Sequence, residues 1–172
     1  MEFALKFVPK ALFLRITIFL NSWENRPHRW TMEQLAFGEV NVDQEIPSLE
    51  IKLDIITLIR YSAATWNFYL LHLEKEFAQK SGFKDINTHA PFYGAIISTM
   101  LNNWTGDPGT LRKQTYAAKK MSYPGDTLKL KGKVVDKYTS QAENLIQCET
   151  WATNQNDDLI VTGSAIIVLP AE

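Results

Sequence analysis

The chain has 172 residues, a formal net charge of −1 and 45% hydrophobic residues, enough for one buried core and too short for two full ones. A charge this close to zero, without a basic cluster, excludes an electrostatic footprint for nucleic acid or an anionic membrane. The single cysteine, Cys148, permits no internal disulfide and points to a reducing, cytoplasmic setting, and no Cys/His cluster or HExxH-type pair offers a metal site.

Residues 1–31 differ from the rest. They hold Lys6, Lys10, Arg15, Arg26 and Arg29 against Glu2 and Glu24, with an apolar run from Ala11 to Leu20 broken by Arg15. That run is too short and too charged to span a bilayer. A mitochondrial presequence, which would place the protein in the matrix, a signal peptide and an upstream start are the three readings. Arg15 argues against the signal peptide. Met32 opens an ordinary domain start, which favours the upstream start and divides the chain into an N-terminal extension, 1–31, and a domain, 32–172.

Ala36 to Ile46 has scattered apolar residues and reads as a loop stopped by Pro47, and Leu49 to Leu53 alternates as a strand does. Asp54 is a candidate N-cap for a helix carrying Ile55, Ile56, Leu58, Ile59 and Ala63 and ending near Thr65. A shorter helix with Glu74 and Glu76 in its first turn stops at Gly82. Pro91 suits the first turn of a long helix, where its missing N–H costs nothing. From Phe92 to Trp104 that helix is apolar nearly all round, so it belongs in the centre of the core. The remainder predicts strands over 112–121, 127–138, 144–154 and 159–169, with a Pro-Gly turn at Tyr123 to Asp126 and a polar hairpin loop at Asn154 to Asp158. Lys119, Lys120, Lys129, Lys131 and Lys133 mark solvated strand faces. The sum is an α+β plan in which an antiparallel sheet wraps around a central buried helix.

Two of the three histidines stand at the edges of helical patterns: His72 closes Thr65-Trp66-Asn67-Phe68-Tyr69-Leu70-Leu71-His72, and His89 opens His89-Ala90-Pro91. Segment edges are where a fold presents groups to a ligand, and histidine is the side chain that titrates near neutrality. The segment Tyr61 to Ser98, with Tyr123-Pro124-Gly125-Asp126-Thr127-Leu128 and Val161-Thr162-Gly163-Ser164-Ala165, resembles the MaoC-like (R)-specific enoyl-CoA hydratases and 3-hydroxyacyl-thioester dehydratases of the hot-dog fold. The resemblance runs over about residues 32 to 170. In that family an Asp is followed after four residues by His, and a later His-Gly opens the central helix, with a Ser eight positions after the Gly. Here Asn67 stands at the Asp position and His72 at the His, His89 and Ala90 match His-Gly, and Ser98 matches the Ser. A branch similar to mesaconyl-C4-CoA hydratase also writes Thr-aromatic-Asn there, followed by a His and an Arg where this chain has Tyr69 and Leu70.

The resemblance implies reversible hydration of a 2-enoyl thioester or dehydration of a 3-hydroxyacyl thioester, carried by CoA or a carrier protein, in a homodimer or dimer of dimers, without a cofactor. That chemistry needs a base for water, a proton for the α-carbon and a donor for the thioester oxygen. The implied roles are acid/base for His72, positioning of water for Asn67, an oxyanion N–H at Ala90 aided by the helix dipole, and support from Ser98. A carboxamide takes no proton, which leaves His72 as the acid/base. Each residue also has a purely structural reading. Asn67 suits a turn, Ser98 close helix packing and His89 the turn before Pro91, while Trp66, Phe68 and Tyr69 line either an acyl tunnel or the core. Ser62 has no nearby base in sequence and no nucleophile elbow, so the sequence gives acyl-enzyme chemistry no support. Two other functions compete: a non-catalytic acyl-CoA-binding or scaffolding hot-dog protein, and a hot-dog thioesterase, disfavoured because Pro91 to Trp104 has no Asp or Glu.

Overall fold

The computed structural model describes residues 3–4, 35–107 and 109–171. Most of the 1–31 segment lies outside the described residues. The strands are β1 (Phe3–Ala4), β2 (Glu45–Lys52), β3 (Thr110–Ala118), β4 (Thr127–Ser140), β5 (Glu143–Thr153) and β6 (Leu159–Leu169). The helices are α1 (Ile55–Thr65), α2 (Lys75–Lys80) and α3 (Ala90–Thr105). All strand pairs are antiparallel, in the order β1-β3-β6-β5-β4-β2.

The sheet is wrapped around α3, the hot-dog arrangement. Every residue of α3 from Phe92 to Leu101 is buried, as its apolar sequence requires when strands surround a helix. Gly94 lets the helix approach β3: a Cβ there would stand 2.5 Å from Tyr116 Cε1. Strand residues Tyr116, Leu128, Leu130, Val134, Ile146, Cys148, Ala165 and Ile167 complete the core. Burial pushes the Cys148 thiol up to about 12, so it packs as an unreactive apolar group.

Local chemistry sets the boundaries. Asp54 caps α1, its Oδ1 accepting from Thr57 N–H at 2.6 Å. Gly82, at φ 90°, follows α2 and accommodates the left-handed turn that ends it. The first core strand is longer than predicted. It starts at Glu45 and runs through Pro47, because the pairing with β4 shifts between Ile46 and Leu49, an irregularity that tolerates a residue without an N–H. The third strand begins at Thr110 and stops at Ala118, which frees Met121 and Ser122 for a loop.

Ser122 ties that loop to the entrance of α3. Its Oγ lies 2.8 Å from Tyr93 Oη and donates to Thr88 Oγ1 at 3.0 Å, while its carbonyl accepts from Thr88 N–H and Thr88 Oγ1. A buried hydroxyl network satisfied in this way fixes the backbone it joins. The backbone so fixed is the 87–90 turn.

Candidate active site

The site is built from the end of α1, the loop after it and the turn before α3. Trp66, the residue after α1, takes a left-handed φ of 57°, costly for an aromatic residue and the kind of local strain that accompanies functional sites. It is 83% exposed and meets Phe68 edge to face at 5.3 Å. Asn67 Oδ1 then accepts from Tyr69 N–H at 3.3 Å, an Asx turn. One 3₁₀ turn, Leu70–His72, delivers His72.

His72 Nδ1 lies 2.8 Å from the carbonyl oxygen of Asn87. A carbonyl only accepts, so in the neutral ring Nδ1 carries the proton and Nε2 the lone pair. Nε2 has no hydrogen-bond partner among the described residues, and the side chain is half-buried. A backbone bond from Asn87 N–H to the Leu71 carbonyl, 3.1 Å, clamps the two segments together.

The His89 ring stacks on His72, with centroids 3.5 Å apart and planes 27° from parallel. On another side it meets Tyr61 at 5.3 Å, and its Nε2 lies 3.4 Å from Ser62 Oγ. Only 1% of His89 is exposed. Burial, and secondarily the neighbouring His72, push its pKa down to about 4, while the Asn67 backbone carbonyl pulls weakly the other way. His89 is therefore neutral near pH 7. Its Nδ1 and the Nδ2 of Asn87 are buried without a partner among the described residues, which leaves unused hydrogen-bonding capacity in the turn.

The Ala90 N–H at the start of α3 has no acceptor among the described residues, and Pro91 beside it has no donor. A free N–H at the positive end of a buried helix suits an oxygen that gains negative charge.

Of the remaining expected residues, Ser98 turns away from the histidines, while Asn67 and Tyr69 border them without a side-chain hydrogen bond to either. Ser98 Oγ faces β3 instead of the histidines, 2.9 Å from the Gly94 carbonyl and 2.5 Å from Gln114 Oε1. Gln114 Nε2 donates to the same Gly94 carbonyl at 3.0 Å. The Asn67 side chain is exposed and holds a turn. Tyr69 is 53% exposed and stands edge-on to His72 at 6.0 Å, and with the exposed Trp66 and Phe68 it lies outside the core. Sequence spacing misses Asn87, Tyr61 and Ser62, because their roles depend on contacts across the chain. Ser62 does have a base beside it, His89. Yet its hydroxyl is fully buried and donates to the Leu58 carbonyl at 3.0 Å, which leaves it unsuited to attack a substrate.

A shallow concavity on the sheet face, bordered by Thr115, Glu149, Trp151 and Thr162, contains neither histidine. It presents no paired acid/base groups, so the chemistry is better placed at the histidine pair. Among the described residues no three His, Cys, Asp or Glu side chains converge as a metal site requires. No helix among them is long and apolar enough to cross a membrane.

A family model described as "MaoC like domain" matches residues 39–156. The chain belongs to the MaoC-like domain family. The structure is similar to R-hydratase PhaJ1 from Pseudomonas aeruginosa, with a TM-score of 0.74 and 24% identity over 81% of this chain and 88% of that one. It is also similar to an (R)-hydratase from A. caviae involved in PHA biosynthesis, with a TM-score of 0.69 and 22% identity over 76% and 98% of the two chains. A truncated 3R-hydroxyacyl-ACP dehydratase complex, HadBC, from Mycobacterium tuberculosis matches with a TM-score of 0.61 and 10% identity over 74% and 99%. At these identities the likenesses establish the MaoC-like fold. No curated protein matches the chain. Membership of the MaoC-like family supports hydratase/dehydratase activity in general.

Proposed function

We propose that the chain catalyses reversible hydration of a 2-enoyl thioester, or dehydration of the 3-hydroxyacyl thioester, carried by CoA or a carrier protein, with His72 as the acid/base. The observation that carries this reading is the hydrogen bond from His72 Nδ1 to the Asn87 carbonyl, which leaves Nε2 as a base. Nε2 takes one proton from water as its oxygen attacks the β-carbon. The electron pair of the double bond moves toward the thioester oxygen, where the Ala90 N–H and the dipole of α3 meet the developing charge. His72 returns the proton to the α-carbon, so the site recovers its starting protonation state. Asn67 is assigned the positioning of that water: its Oδ1 holds the turn, and its Nδ2, without a partner among the described residues, is the donor this role requires.

Trp66, Phe68 and Tyr69 form the rim for the acyl or pantetheine chain in this reading. Seven large apolar side chains on α1 and its following loop, Ile55, Ile56, Ile59, Trp66, Phe68, Tyr69 and Leu70, are exposed. Such exposure supports a homodimer, or a dimer of dimers, that covers part of them. Light scattering at micromolar concentration tests it, and a monomer contradicts it. The catalytic unit is 32–172, with 1–31 as an extension, and the buried lone Cys148 supports a cytoplasmic location.

A specific observation favours the second reading, a binding or scaffolding protein: neither Asn67 nor Ser98 directs its side chain to His72 through a hydrogen bond. Incubation with a panel of trans-2-enoyl-CoA and branched dicarboxylyl-CoA thioesters separates the two. Loss of the conjugated enoyl absorbance supports hydration. Binding without turnover across the panel supports scaffolding.

A further inference from the structure

The stacked histidines suggest a division of labour that the His72 assignment alone does not contain. His89 is almost wholly enclosed: Ser62 Oγ lies 3.4 Å from Nε2, the Tyr61 ring at 5.3 Å and the His72 ring at 3.5 Å, with the Asn67 backbone carbonyl also acting on the ring. The Ser62 proton is used on the Leu58 carbonyl, so its oxygen is free to accept from His89 Nε2–H. Ser62 sits in the last turns of α1, and Tyr61 also packs edge-on against Phe92 at 5.1 Å. The His89 ring is thus anchored to α1 and α3 at once.

We propose that His89 is a positioning residue for His72: held by Ser62 and Tyr61, its ring lies flat on the His72 imidazole and keeps Nδ1 on the Asn87 carbonyl. The inference rests on the reading of His72 as acid/base. A ring that turned about its own bond would exchange Nδ1 for another partner and take Nε2 away from the substrate. One hydrogen bond to a carbonyl does not by itself fix the ring plane; a flat neighbour at stacking distance does. The same contact serves the reaction when His72 holds the water proton, because a neutral aromatic face against a cationic ring is attractive. Two charged rings at this distance would repel.

The test compares the full-length parent with His89→Phe, His89→Ala and Ser62→Ala, using ¹⁵N NMR of the His72 ring to read its tautomer and steady-state hydration of the enoyl-CoA panel. The parent is expected to show one tautomer, with the proton on Nδ1. His89→Ala is expected to mix the tautomers and lower kcat by about 10²-fold with KM little changed, the size of loss a misplaced catalytic group causes. His89→Phe, which keeps a flat ring, is expected to restore the single tautomer and most of the rate. A folded His89→Ala protein with one tautomer and the parent's kcat overturns the proposal. If His89→Ala does not fold, Ser62→Ala decides: mixed His72 tautomers support the proposal and an unchanged spectrum overturns it. A parent that is inactive across the panel, yet loses its single tautomer in His89→Ala, contradicts the hydratase reading while supporting the positioning role.

Discussion

The side-chain oxygen of Asn67 accepts a hydrogen bond from the Tyr69 backbone N–H at 3.3 Å, and so the residue at the family's carboxylate position shapes the loop that delivers His72. Asn67→Ala removes that bond. It is expected to lower stability by about 0.5–1.5 kcal/mol and to reduce hydration less than loss of His72 does. Asn67→Asp keeps an acceptor for Tyr69 and adds a base, so it is expected to match the parent in thermal melting and to equal or exceed its rate. Melting curves and enoyl-CoA kinetics on the three proteins check this.

His89 gives a pH dependence with a defined sign. Its folded pKa, about 4, lies below the value of about 6.5 for a free imidazole. The unfolded chain therefore binds more protons between those values, and stability falls as pH drops from about 6.5 toward 4. The loss from this group approaches ~3 kcal/mol. Urea unfolding at several pH values is expected to show a shallower slope in His89→Phe than in the parent. Equal slopes would show that His89 is not the group responsible.

The close approach of α3 to β3 is tested at Gly94. Alanine there would put its Cβ 2.5 Å from Tyr116 Cε1, and overpacking a core of this kind costs about 1–3 kcal/mol. At about 2–4 °C per kcal/mol for a chain of this size, Gly94→Ala is expected to melt several degrees below the parent. An unchanged melting temperature would mean that Tyr116 moves aside without cost.

Deletion of residues 1–31 tests the proposed division of the chain. Among them the structure describes only Phe3–Ala4, paired with Thr115 and Tyr116 on the edge of β3. Two paired residues contribute little to a core built from β2 to β6 and α3. The truncated protein is expected to melt close to the parent and to retain its hydration rate. A large fall in melting temperature would make the segment part of the domain.

The fold was legible where one local signal sufficed. The all-round apolar run Phe92 to Leu101 could only be stable inside the sheet, Asp54 was placed to cap, and Gly82 was placed to stop a helix. Pro47 misled because the bulge that accommodates it depends on the pairing of β2 with β4. In the candidate site, spacing singled out His72 and His89, whose rings the structure stacks, and Ala90, which opens α3; all three lie at segment ends. It could not show which way a side chain points. Ser98 has the spacing of the family's serine, but Gln114 on β3 offers it an acceptor at 2.5 Å. Asn87 was invisible because it acts through its backbone carbonyl, and the contact of Ser62 with His89 because it joins two different elements.

Transfer of the water proton by His72 Nε2 is decided by one variant, His72→Ala. Enoyl-CoA hydration should be followed by loss of the conjugated absorbance, with folding verified by circular dichroism. Because a positioned acid/base contributes roughly 10²–10⁴-fold, the folded variant is expected to lose activity by at least about 10²-fold while still binding the thioester. A folded His72→Ala protein that hydrates enoyl-CoA as fast as the parent would contradict this role of His72.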